Sequence, residues 1–75
     1  MEYKQFISRN PDIMRGKPII KGTRITVELI IRKFAGGFTI EYLIESYPHI
    51  TREQILAAFE YAADLIANEE TFEVA

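Results

Sequence analysis

The chain contains no cysteine, which excludes a disulfide framework, a thiolate metal site and a thiol nucleophile. Its one histidine, His49, sits between Pro48 and Ile50, and a lone turn histidine reads as structural or exposed rather than catalytic. No apolar run approaches the roughly 20 residues that a membrane span needs. Met1 to Phe6 lack the basic-then-apolar layout of a signal peptide. Internal repeats, linkers and low-complexity tracts are missing too. Paired carboxylates occur only as Glu41/Glu45 and Glu60/Asp64, four residues apart, the spacing of a solvated helix face. These absences argue against an enzyme and against any metal or cofactor. They predict one cytoplasmic domain with no membrane segment.

What is present is a globular composition, 48% hydrophobic and 27% charged. A domain of 75 residues buries only about 60% of the surface its unfolded chain exposes, so its stability as a monomer would be marginal. The net charge of −2 hides an uneven distribution. Residues 1–33 carry eight Lys or Arg against three acids, whereas residues 34–75 carry one Arg against eight acids. A basic front and an acidic back predict two different surfaces, with solvated charge as the plainer alternative.

The stretch Gly16 to Val27 organises the rest. Gly16 and Gly22 stand where the backbone needs positive φ or a close approach, and Pro18 fixes φ and cannot donate to a ladder, so Ile19 and Ile20 read as a short edge strand. Lys17, Lys21 and Arg24 place three cations in eight residues. Upstream, Phe6 to Ser8 read as a strand and Arg9 to Asp12 as a turn, with a second short strand or bridge at Ile13 and Met14. Thr26 caps a helix whose Val27, Ile30, Ile31 and Phe34 form one apolar face, and Gly36-Gly37 stops it. Thr39 caps a second helix that Pro48 ends. Thr51 and Gln54 form a capping box, with Ile50 and Ile55 at the positions of a hydrophobic staple.

The resulting expectation is a single domain over residues 1–75, mainly α: a small N-terminal β-hairpin with turns over about 1–25, helices over 27–36, 40–47 and 52–68, and a tail over 69–75. On a helical wheel Ile55, Leu56, Ala58, Phe59, Ala62, Ala63, Leu65 and Ile66 cover about half of the third helix, opposite Glu53, Ala57, Glu60 and Asp64. That width predicts a homodimer through Leu56, Phe59, Ala63 and Ile66, or else packing on both the other helices and the sheet. Phe72 and Val74 alternate with polar residues in the tail, as in a docking peptide or a frayed end.

A phosphate-loop reading fails, because Gly22 is followed by Thr23 and Arg24 without the required lysine. A helix-turn-helix reading of the second and third helices fares better, the third being the one that would enter a major groove. Its exposed side carries Glu53, Glu60 and Asp64, so a duplex-DNA footprint would draw on the basic set Lys4, Arg9, Arg15, Lys17, Lys21, Arg24, Arg32 and Lys33, with His49, Thr51 and Arg52 at the helix start.

The run Asn10-Pro11-Asp12-Ile13, then Gly16-Lys17-Pro18-Ile19-Ile20-Lys21-Gly22-Thr23-Arg24-Ile25, Gly37, Tyr47-Pro48 and Ile50-Thr51 before an Ala-rich helix, resembles the DUF433 family. The resemblance covers roughly residues 6 to 66. It implies a homeodomain-like helical fold with a small β element, in which Gly16, Pro18, Gly22 and Thr23 belong to the structural motif. It also implies the role of antitoxin in a bacterial or archaeal toxin–antitoxin pair whose toxin has a PIN-like nuclease fold. Such nucleases hold metal with clustered carboxylates, so Arg24 is the candidate to reach that cluster as a bidentate pair, with Lys17 and Lys21 beside it. The competing expectation is that Arg24 pairs with a helix carboxylate of its own chain. The alternative function is a protein-interaction or dimerisation module that binds no DNA.

Overall fold

The computed structural model describes residues 3–70. Its order is a 3-10 turn at Tyr3–Gln5, strand β1 (Ile7–Ser8), a tight turn at Met14–Gly16, strand β2 (Ile19–Ile20), and helices α1 (Val27–Ala35), α2 (Ile40–Ser46) and α3 (Arg52–Glu70). The fold is mainly α: three helices, with α1 and α2 packed on α3 and α3 on the first strand of a two-stranded antiparallel sheet. No helix among the described residues is long and apolar enough to cross a membrane. The reading of residues 71–75 as a tail lies outside the described residues.

β1 and β2 pair with Ile7 opposite Ile20 and Ser8 opposite Ile19. The expected strand or bridge at Ile13 and Met14 is absent. Asn10 Oδ1 instead accepts from the Asp12 amide at 2.9 Å and the Asn10 carbonyl from Ile13, and the chain coils through two further tight turns closed by Gly16 N to Ile13 O and Lys17 N to Met14 O. Met14 and Arg15 take φ of 50° and 59°, and Gly16 follows at 78°. A left-handed residue with a side chain costs roughly 1–2 kcal/mol, so the surrounding turns must hold this pair in place.

β2 is also more enclosed than an edge strand. On its far side Ile19 bridges to Thr26, and the Val27 amide donates to the Pro18 carbonyl at 3.0 Å. Proline lacks only the donor, and its carbonyl remains free to serve this second side. Ile19 and Ile20 are accordingly 2% and 0% exposed.

The helices begin where their caps stand: Thr26 Oγ1 accepts from Leu29 N, Thr39 Oγ1 from Tyr42 N, and Thr51 and Gln54 exchange side-chain and amide hydrogen bonds. Ile20, Val27, Ile30, Leu43, Ile50 and Ile55 fill the core, closed by Ala57 and Ala58. Phe34 of α1 meets Phe59 of α3 edge to face, with centroids 4.7 Å apart. The wheel placed Ala57 outward and Leu56 inward. In the structure Ala57 is fully buried and Leu56 is 37% exposed, because the small residue lets α3 approach its neighbours closely. From Ala63 to Asn68, α3 runs on with its side chains exposed, including Leu65 and Ile66.

Candidate partner-binding site

The corner between β2 and α1 is built by Ile20 to Thr26. Thr23 N donates to the Ile20 carbonyl at 2.9 Å across Lys21-Gly22, and Gly22 takes φ of 82°, the positive value a type II turn requires at its third residue. The Thr23 hydroxyl donates to the same carbonyl at 2.8 Å and accepts from Ile25 N at 3.0 Å. Ile20 N to Ile25 O closes the inner side, and Lys21 N to Phe6 O ties the corner to the N-terminal segment. Arg24 therefore projects from a backbone fixed on both sides of it.

Arg24 is exposed, and among the described residues it has no carboxylate, hydroxyl or ring partner; the same holds for Lys21 and Arg15. Lys17, placed beside Arg24 in the sequence reading, is engaged elsewhere. Its Nζ lies 2.8 Å from Glu28 Oε1, and Arg32 Nε takes the other oxygen at 3.0 Å. Hydrogen bonds from Lys17 and then Arg32, reinforced by their charges, hold the Glu28 carboxyl below its usual range.

The residues assigned to DNA are scattered among other tasks. Arg9 binds the Tyr61 hydroxyl through Nε and Nη2, and Lys33 lies 5.0 Å from the centroid of Phe38. Arg52 pairs with Glu41, tying α3 to α2, while Thr51 is occupied by its capping box. The Glu41 carboxyl is lowered first by a backbone amide hydrogen bond at its own residue and then by Arg52. His49 is exposed in its turn. Among the described residues no group of three or more His, Asp or Glu is arranged to hold a metal ion.

The four residues expected at a dimer interface fall on two surfaces. Leu56, Phe59 and Ala63 line a depression of about 350 Å³ with Glu60. Ile66 belongs to a larger open groove of about 480 Å³, walled by Val27, Ile31 and Ala35 of α1 and by Tyr61, Ala62 and Leu65 of α3. Neither the groove nor the hold of Tyr61 on Arg9 was legible in the sequence. Leu65 and Ile66 carried the only signal, an apolar periodicity that continues after the core has ended.

The fold and its corner thus define a small three-helix module that presents unpaired cations on a rigid turn. The chain belongs to the DUF433 family, described as "Protein of unknown function", which it matches over residues 7–62. It is 32% identical over 59 residues to the uncharacterized protein y4eO of Sinorhizobium fredii (strain NBRC 101917 / NGR234), covering 79% of this chain and 27% of that relative. The chain therefore spans about a quarter of that relative's length. It is also similar to the crystal structure of a DUF433 member protein from Anabaena variabilis ATCC 29413, with a TM-score of 0.79 and 28% identity over 81% of this chain and 60% of that one.

Proposed function

We propose that the chain is a non-enzymatic, cytoplasmic binding protein, the antitoxin partner of a PIN-like nuclease, and that Arg24 is the side chain that enters the nuclease's carboxylate cluster. The observation that carries this reading is the state of Arg24. It is exposed on a corner pinned by Thr23 and Gly22, and it lacks the internal carboxylate that Lys17, Arg32 and Arg52 each possess. With the backbone fixed, only the Arg24 side chain itself remains to be ordered on forming a bidentate contact, and no internal ion pair has to be broken first. Lys21, exposed and unpaired two residues before Gly22's neighbour Thr23, adds charge to the same turn.

Duplex DNA is the weaker partner for the helix-turn-helix face of α2 and α3. Arg52 is tied to Glu41, and the exposed side of α3 presents Glu53, Glu60 and Asp64, which repel phosphate. The test is co-expression of the chain with each adjacent open reading frame, scored by relief of growth arrest. One neighbour should be toxic alone and silenced by the parent chain but not by Arg24→Ala. The reading fails if no neighbour is silenced, or if Arg24→Ala silences as well as the parent.

A further inference from the structure

On a different side of α3 from the α1–α3 groove, Leu56, Phe59 and Ala63 recur at i, i+3 and i+7 and line the depression of about 350 Å³ that Glu60 completes. Leu56 is 37% exposed and Ala63 is exposed, so the strip is open over two turns of helix, about 11 Å. Glu53, Glu60 and Asp64, spaced by seven and then four residues, form an acidic stripe along one edge of the strip. All three are exposed and, among the described residues, none is in an ion pair. Glu60 and Asp64 stand at i, i+4, where like charges repel. Nothing on the described part of α3 offsets them, because Arg52, its only basic residue, pairs with Glu41.

We infer that this strip is the docking face for a basic amphipathic helix of a partner protein, whose apolar residues enter the depression and whose lysines or arginines lie over Glu53, Glu60 and Asp64. The occupant follows from spacing and charge. Apolar side chains at i, i+3 and i+7 form the seam on which a second helix packs, its side chains entering the spaces between turns. A cationic flank relieves the repulsion between Glu60 and Asp64 and meets carboxylates left without a cation among the described residues. A second copy of the chain is the poorer occupant. Two α3 helices packed antiparallel, strip to strip about a two-fold axis, set acidic stripe against acidic stripe. The strip belongs to α3 and owes nothing to the β2–α1 corner that carries Arg24. The chain thus offers two docking surfaces of opposite sign, in keeping with the split of its charge about residue 34.

Fluorescence anisotropy of labelled synthetic peptides titrated with the full chain tests it. The probe is a helix of about 18 residues with leucines at i, i+3, i+4 and i+7 flanked by lysines; one control carries glutamates in place of the lysines, and another the same residues in scrambled order. The lysine peptide should bind at least about tenfold more tightly than either control. Ala63→Arg, at an exposed site outside the core, fills the depression and adds a like charge. It should weaken binding by about tenfold or more while leaving the helix content of the chain unchanged. Ala35→Arg, the same change of charge in the α1–α3 groove, should weaken binding by less than about twofold. Glu60→Lys combined with Asp64→Lys should transfer the preference to the glutamate peptide. Equal affinity for the scrambled peptide, indifference to Ala63→Arg, or an equal loss with Ala35→Arg would overturn the inference. So would sedimentation of the parent chain as a dimer that Ala63→Arg dissociates, which would give the strip to a second copy.

Discussion

Arg9 and Tyr61, 52 residues apart, are joined by two hydrogen bonds from the guanidinium to the phenol oxygen, at 2.9 Å from Nε and 2.6 Å from Nη2. The guanidinium carbon also lies 5.8 Å from the centre of the Tyr61 ring, and Tyr3 meets that ring edge to face at 5.7 Å. One α3 side chain thus fastens both the N-terminal turn and the loop after β1. Tyr61→Phe keeps the ring and loses the acceptor. It should cost about 1 kcal/mol, a fall in melting temperature of roughly 4–8 °C for a domain of this size. An unchanged melting temperature would show that the Arg9 contact contributes nothing in solution.

The glycines at the corner and after α1 should respond in opposite ways. Gly22 has open space around a built Cβ but a φ of 82°, so Gly22→Ala should destabilise by about 1–2 kcal/mol through the backbone alone. Gly36 has a helical-side φ of −83° and meets only ordinary contacts, the nearest at 3.5 Å, so Gly36→Ala should be neutral or stabilising by up to about 1 kcal/mol. Chemical denaturation of the two variants measures both. Equal effects would contradict the assignment of strain to Gly22.

The facing of α3 has its own check. Ala57→Leu adds volume to a fully buried site and should cost about 1–3 kcal/mol, whereas Leu56→Ala at the neighbouring exposed site should cost less than about 1 kcal/mol. The reverse order in a denaturation series would restore the wheel's orientation.

Acid should loosen the tie between the Met14–Gly16 turn and α1. Glu28 titrates below its ordinary carboxylate range in the folded chain because Lys17 and Arg32 favour its charged form. A group whose folded pKa is depressed stabilises the fold above its unfolded pKa, and that stability is lost as pH falls through the folded value. Glu28→Gln should therefore flatten the pH dependence of stability on the acid side of the usual carboxylate range and leave the neutral-to-alkaline slope as it was. An unchanged acid limb would mean that screening by solvent erases the Glu28 contacts.

The residues show where sequence reasoning reaches and where it stops. Thr26, Thr39 and the Thr51/Gln54 box mark helix starts because capping is a local exchange of hydrogen bonds within four residues. The left-handed Met14 and Arg15 are invisible to propensity, since neither residue prefers that conformation and only the turns around them impose it. Ala57 was misplaced because hydrophobic periodicity weights size, while close helix packing selects small residues. The candidate site was half legible: Arg24 stood out through its Gly-Thr-Arg setting, but spacing along the chain could not say that Glu28 would take Lys17 and Arg32 and leave Arg24 alone.

The measurement that bears most directly on the functional reading is calorimetric titration of the adjacent nuclease, once identified by co-expression, with the parent chain, Arg24→Lys and Arg24→Ala. Arg24→Ala should weaken binding by about 30-fold or more, and Arg24→Lys, which keeps the charge and loses the planar fork, should recover only part of it. Equal affinity for all three chains would remove Arg24 from the interface.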